Sequence, residues 1–169
     1  MSTATDVLAT AFDNIADAVA SAVDGLTPQQ LAHRPAAEAN SIAWLVWHLT
    51  RVQDDHVAEV AGREQVWSGG WADRFGLPFA PAETGYGMSS DEVARVRDVT
   101  AEQLVGYHRD VAAATRDFLA GLSAEDLDRV VDRSWDPPVT LGVRLVSVVT
   151  DDLMHAGQAS YLRGLLPDA

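Results

Sequence analysis

The chain has 169 residues, the usual size of one domain, and its 47% hydrophobic and 22% charged residues are those of a folded globular protein, neither disordered nor collagen-like. Twenty-five acidic against 12 basic residues leave a net charge of −13, so a phosphate-neutralising surface for nucleic acid is not expected. There is no cysteine and every basic residue is Arg, which excludes disulfides, zinc-thiolate sites, a protein thiol nucleophile and lysine Schiff-base chemistry.

Residues Met1 to Asp6 lack the basic and apolar regions of a secretory signal, and no apolar run approaches the ~18 to 20 residues of a membrane span. The expectation is one cytoplasmic domain over residues 1–169, without nucleic-acid or membrane partners. Leu8, Phe12, Ile15, Val19 and Val23 recur at helical spacing and predict a first long helix over 5–24, with Gly25 at its end. Thr27 and Pro28 read as cap and first-turn proline of a short helix through His33, which Pro35 stops. Ser41 caps a second long helix, Ile42 to Ala61, whose apolar stripe is Ile42, Leu45, Leu49, Val52 and Val60; Gly62 ends it.

From Gly62 to about Ser90, glycines, prolines and aromatics replace helical periodicity, the pattern of a long crossover that spans a fold or shapes a site. Ser89 or Ser90 starts a short turn through Arg97, and Thr100 caps a third long helix marked by Leu104, Tyr107, Val111, Phe118 and Leu122. Trp135-Asp136-Pro137-Pro138 must be extended, because each proline disfavours helix in the residue before it. Thr140 then caps a fourth helix to about Leu166. The predicted fold is all-α: a four-helix bundle whose long crossover between helices 2 and 3 lets those two run parallel.

The chemistry-bearing stretch lies on the fourth helix, from Thr150 to Gln158. Val148, Leu162 and Leu166 fall within roughly 20° of His155 on a helical wheel, so this imidazole is expected to point inward. Asp151 lies one turn earlier, roughly 40° away, and Asp152 roughly 60° away on the other side. A carboxylate on a buried face needs a cation, which is either an Arg such as Arg144 or a metal ion. A catalytic divalent site takes about three protein ligands and an open position, and the second helix offers His48 and His56. Spacing places His56 nearer the middle of that helix's stripe and His48 toward its edge. His33 and His108 read as surface or partly buried residues without a role.

Ser41-Ile42-Ala43-Trp44-Leu45-Val46-Trp47-His48-Leu49, with Asp151 through His155-Ala156-Gly157-Gln158, resembles the DinB-like superfamily over nearly the whole chain. The branch resembled holds mycothiol-dependent transferases and the metal-binding domain of mycothiol-dependent maleylpyruvate isomerase. The resemblance implies a bundle that holds a divalent metal, zinc or nickel, between helices 2 and 4. It selects His48, Asp151 and His155 as ligands, Asp151 standing where the commonest pattern has histidine. It further implies that a low-molecular-weight thiol, mycothiol or a relative, is activated for attack on an electrophile in detoxification. Gln158, Arg163 and Tyr86 are the candidate thiol- or substrate-binding residues. A non-catalytic metal-binding stress-response bundle and a metal-dependent hydrolase use the same ligand set, and a homodimer is compatible with each.

Overall fold

A computed structural model describes residues 2–166. Four long helices, α1 (Ala4–Val23), α3 (Ile42–Ala61), α6 (Ala101–Ala120) and α7 (Leu141–Leu165), form the bundle. Three short ones, α2 (Pro28–Leu31), α4 (Trp71–Phe75) and α5 (Ser90–Val93), lie in the connections. The starts are written in capping chemistry. Thr3 with Asp6, Thr27 with Gln30, Ser89 with Glu92 and Thr100 with Gln103 each make a reciprocal capping box, and Ser41 and Thr140 cap α3 and α7 through their side chains. Gly62 closes α3 at φ 66°, a left-handed conformation that favours glycine.

Helices α1 and α3 each pack against both α6 and α7, so the four stand in a square with α1 and α3 on one diagonal. Thr50 meets His108 and Gln53 meets Thr115, so contacts advance together along α3 and α6, and these helices run parallel. Trp44 faces His155 while His56 faces Arg144, so α3 and α7 run antiparallel. The order is up, down, down, up. The single crossover expected from the length of the second connection is therefore present.

That crossover is more ordered than its loss of periodicity suggests: it contains a 3-10 turn at Val66–Gly69, then α4 and α5. Trp67, Trp71 and Phe75 gather around Tyr107 of α6 with ring centroids 5.1 to 5.8 Å from it. Each buried aromatic contributes roughly 1.5–3 kcal/mol of transfer free energy. Gly106 makes room, since a Cβ there would stand 2.7 Å from the Trp71 ring. Covered by the crossover and flanked by α6 and α7, α3 is buried around most of its first three turns, from Ile42 to Arg51.

A buried ion pair ties crossover to bundle. Arg51 and Asp54 are both fully buried and 3.7 Å apart. Asp54 accepts from the backbone amides of Val66 and Trp67 and from the Tyr107 hydroxyl, at 2.9, 2.8 and 2.9 Å. Burial pushes the Tyr107 phenol well above its ordinary pKa, which keeps it a donor to this carboxylate. Arg51 donates to Gln65 Oε1 at 2.9 Å and to the Glu83 carbonyl at 3.1 Å. With these bonds the pair is satisfied, the condition under which buried charge is tolerated.

Two features differ from the sequence reading. A small antiparallel hairpin, β1 (Val130–Asp132) and β2 (Val139–Thr140), replaces the expected extended run: residues 134–137 are bends in its connecting loop, and the Asp136–Pro137 bond is cis. His108 is no surface residue but fully buried, 3.0 Å from Thr50 Oγ1. Because Thr50 spends its own proton on the Val46 carbonyl at 2.7 Å, His108 Nδ1–H is the donor in that pair.

Candidate metal centre

Helix α3 presents His48 and α7 presents Asp151 and His155 to one point. One ligand atom from each lies within 4.8 Å of the others. The imidazole centroids are 4.9 Å apart, and Asp151 Oδ1 stands 3.7 Å from His155 Nε2. The spacing on α7 is one helical turn, which stacks the two side chains along a single face.

Each ring is oriented from behind. His48 Nδ1 is 2.6 Å from the Thr84 carbonyl, which can only accept, so Nδ1 carries the proton and Nε2 keeps its lone pair. His155 Nδ1 is 3.0 Å from Gln158 Oε1, an acceptor that leaves Nε2 in the same state. Trp44 stacks on His48 at 4.5 Å and meets His155 edge-on at 6.2 Å. Burial lowers the His48 pKa, and proximity to His155 lowers it further, against the opposing pulls of Thr84 and Asp151. The neutral, ligating form is favoured.

The donor set fits a divalent ion. Two imidazoles with free Nε2 atoms and one carboxylate form a three-ligand set of the catalytic kind. Asp151 Oδ2 is a buried oxygen without a hydrogen-bond partner among the described residues, as expected of an atom kept for a cation. Beside the centre lies a cavity of about 390 Å³ lined by His48, Asp151, Thr84 and Tyr86, and also by Val52, Val148, Ser147 and His56. Such a volume suits a small ligand.

The crossover supplies what the sequence reading missed. Thr84 and Gly85 lie against His48: a Cβ on Gly85 would stand 2.8 Å from Nδ1, and its φ of 98° is unfavourable for any other residue. Glu83 Oε1 accepts from the amides of Thr84 and Gly85 at 3.1 and 3.0 Å, and Arg51 holds the Glu83 carbonyl. The only trace of this in the sequence is a pair of glycines around Tyr86.

Of the two histidines on α3, His48 is buried and faces the centre, while His56 is half-buried, reversing the order that the apolar stripe suggests. His56 Nδ1 accepts from Arg144 at 3.1 Å. Arg144 also binds Glu59 and Asp132, at 3.0 and 3.1 Å, so it is not the partner of Asp151. Asp152, on the other side of His155 from Asp151 on the helical wheel, is fully buried, and neither of its oxygens has a partner among the described residues. Burial, with the Asp151 charge next to it, raises its pKa well above the usual carboxylate range. Tyr86 is 89% exposed at the cavity. Gln158 is engaged by His155, and Arg163 donates to the Ala22 and Asp24 carbonyls at the end of α1, at 3.3 and 2.6 Å.

A model of the mycothiol-S-transferase family matches residues 7–167. The chain belongs to that family. The match spans all four bundle helices, and with them the three converging side chains of this mycothiol-S-transferase family member. Among solved structures, a conserved protein from Enterococcus faecalis is similar over 98% of both chains, at 29% identity and a TM-score of 0.90. No curated protein matches. The all-α, DinB-like bundle that the sequence resembles is thus the fold of this chain. No described helix is long and apolar enough to cross a membrane.

Proposed function

We propose that this protein is a divalent-metal-dependent thiol S-transferase that joins a low-molecular-weight thiol, mycothiol or a relative, to an electrophile. The observation that carries the reading is the convergence of His48, Asp151 and His155 within 4.8 Å beside a cavity of about 390 Å³, in a chain of the mycothiol-S-transferase family. Zinc is the first candidate and nickel the second, from the mixed nitrogen and oxygen donors. A bound ion supplies Lewis acidity that lowers a thiol's pKa, so that thiolate is present at neutral pH.

The chain's own part is positional. His48 and His155 offer Nε2 because Thr84 and Gln158 hold the other nitrogens, and Asp151 offers a carboxylate oxygen. In the transfer the thiolate sulfur donates its electron pair to the electrophilic carbon, the S–C bond forms, and the displaced pair leaves with the departing group or opens the attacked π bond. The protein has no cysteine, so the sulfur must come from the co-substrate. Tyr86, at the exposed side of the cavity, is the residue best placed to contact thiol or electrophile. Detoxification in the cytoplasm is the setting this reading implies.

The test combines elemental analysis with assays of the purified protein. One ion per chain is expected, lost in Asp151→Ala, His155→Ala and His48→Ala and retained in His56→Ala. Conjugation of model electrophiles with a panel of thiols is expected only in metal-bound protein. Hydrolysis of model esters or amides without conjugation assigns a hydrolase instead, and silence in both assays leaves a metal-binding bundle without turnover.

A further inference from the structure

The outer face of α7 is unlike the rest of the surface. The chain carries 37 charged side chains, 25 acidic and 12 basic, yet none of the exposed residues within Leu141–Leu165 is charged. Val143, Val146, Thr150, Leu153, Met154, Gly157, Tyr161, Gly164 and Leu165 are all exposed and fall in one stripe about 120° wide. Their spacing steps by three and four, the repeat by which one helix recognises another. Arg144, Asp151 and Arg163 lie off the stripe, engaged as described above.

Six of these side chains, Val143, Val146, Leu153, Met154, Tyr161 and Leu165, are between 45% and 69% exposed. Together they present on the order of 600 Å², the upper end of what a monomer leaves uncovered; over two copies, about 1,200 Å² reaches the lower bound of specific interfaces. The stripe is also self-complementary. In an antiparallel pairing centred between Leu153 and Met154, Val143 meets Gly164, Val146 meets Tyr161, Thr150 meets Gly157 and Leu153 meets Met154. Val143 and Thr150 thereby face glycines across the axis, and eight of the nine stripe positions pair among themselves, as a two-fold interface requires, with Leu165 falling opposite Gly142 at the edge. A Cβ on either Gly157 or Gly164 would meet nothing in its own chain, so both notches are open to a neighbour.

We infer that α7 is a homodimerisation surface, with two copies of this chain pairing antiparallel along its uncharged face. A chain of net charge −13 repels its copies over most of its surface, and here it presents them a neutral seam. This inference stands apart from the thiol-transfer reading, because none of the stripe residues is a proposed metal ligand.

Sedimentation velocity over a concentration series up to about 0.1 mM, in the affinity range of modest interfaces, tests it. The parent chain is expected to be dimeric. Val146→Glu is expected to weaken dimerisation at least about 100-fold, and Gly157→Leu about tenfold although it adds apolar surface, both with helical circular dichroism and metal content unchanged. Because the chain has no cysteine, Leu153→Cys provides a single thiol near the axis and is expected to form a disulfide-linked dimer under mild oxidation. Val7→Cys, more exposed and on α1, should not. A parent chain monomeric throughout, dimerisation unaffected by Val146→Glu, or equal cross-linking from both cysteines overturns the inference. So does flotation of monomeric protein with neutral phospholipid vesicles, which assigns the face to lipid.

Discussion

His48 and His155 each have one nitrogen spoken for, and the two acceptors differ in kind. The Thr84 carbonyl belongs to the backbone and cannot be removed by substitution, whereas Gln158 is a side chain one turn beyond its ring. Gln158→Ala is therefore expected to weaken metal binding about 10- to 100-fold, the range for a lost orienting partner, while leaving the fold intact; titration calorimetry against zinc measures it. Asp152 makes the opposite prediction. A carboxyl whose folded pKa is raised contributes its full stability below the unfolded value of 3.8 and loses it as pH rises toward the folded value. Asp152→Asn removes that ionisation without changing shape, so in the presence of a chelator it is expected to melt higher than the parent at neutral pH, with the difference shrinking toward pH 4. A variant that melts lower at neutral pH would show that the carboxylate has a cationic partner.

The crossover is the element that makes α3 hard to read. Helical periodicity identifies a buried face when a helix has a solvent side, and it places α1, α6 and α7 well, down to the caps at Thr100 and Thr140. On α3 the outer face is covered by Trp67 and its neighbours, so the stripe misjudges which histidine is buried, and only the family pattern selects His48. The same cover explains why the carbonyl behind His48 was not legible: a backbone acceptor has no signature in side-chain type. Gly85 gives the element's own test. Gly85→Ala would drive a methyl against the His48 ring from a strained backbone, and is expected to cost about 1–3 kcal/mol in denaturant unfolding. It should weaken metal binding as well. Gly87→Ala, also at positive φ but with nothing within 4 Å, should cost stability while sparing the metal.

Across the whole molecule, the parallel placement of α3 and α6 buries polar groups at the bundle's centre, and this sets its response to acid. Burial lowers the His108 pKa from 6.5 to about 4. A histidine depressed in the folded state contributes stability that is fully present above pH 6.5 and is lost as pH falls toward 4, where the unfolded chain takes up a proton that the folded one refuses. Free energies from denaturant unfolding are expected to decline over that interval, and His108→Gln should flatten the decline; a profile of the same slope in both would place the acid-labile group elsewhere. The tether between His48 and Thr84 carries a further consequence. With an ion bound at its free nitrogen, a ring held on the other by a loop would transmit tension in both directions, by the reciprocity of linked equilibria. Filling the centre should slow amide hydrogen exchange at Thr84 and Gly85, and loosening those residues should in turn let the ion go.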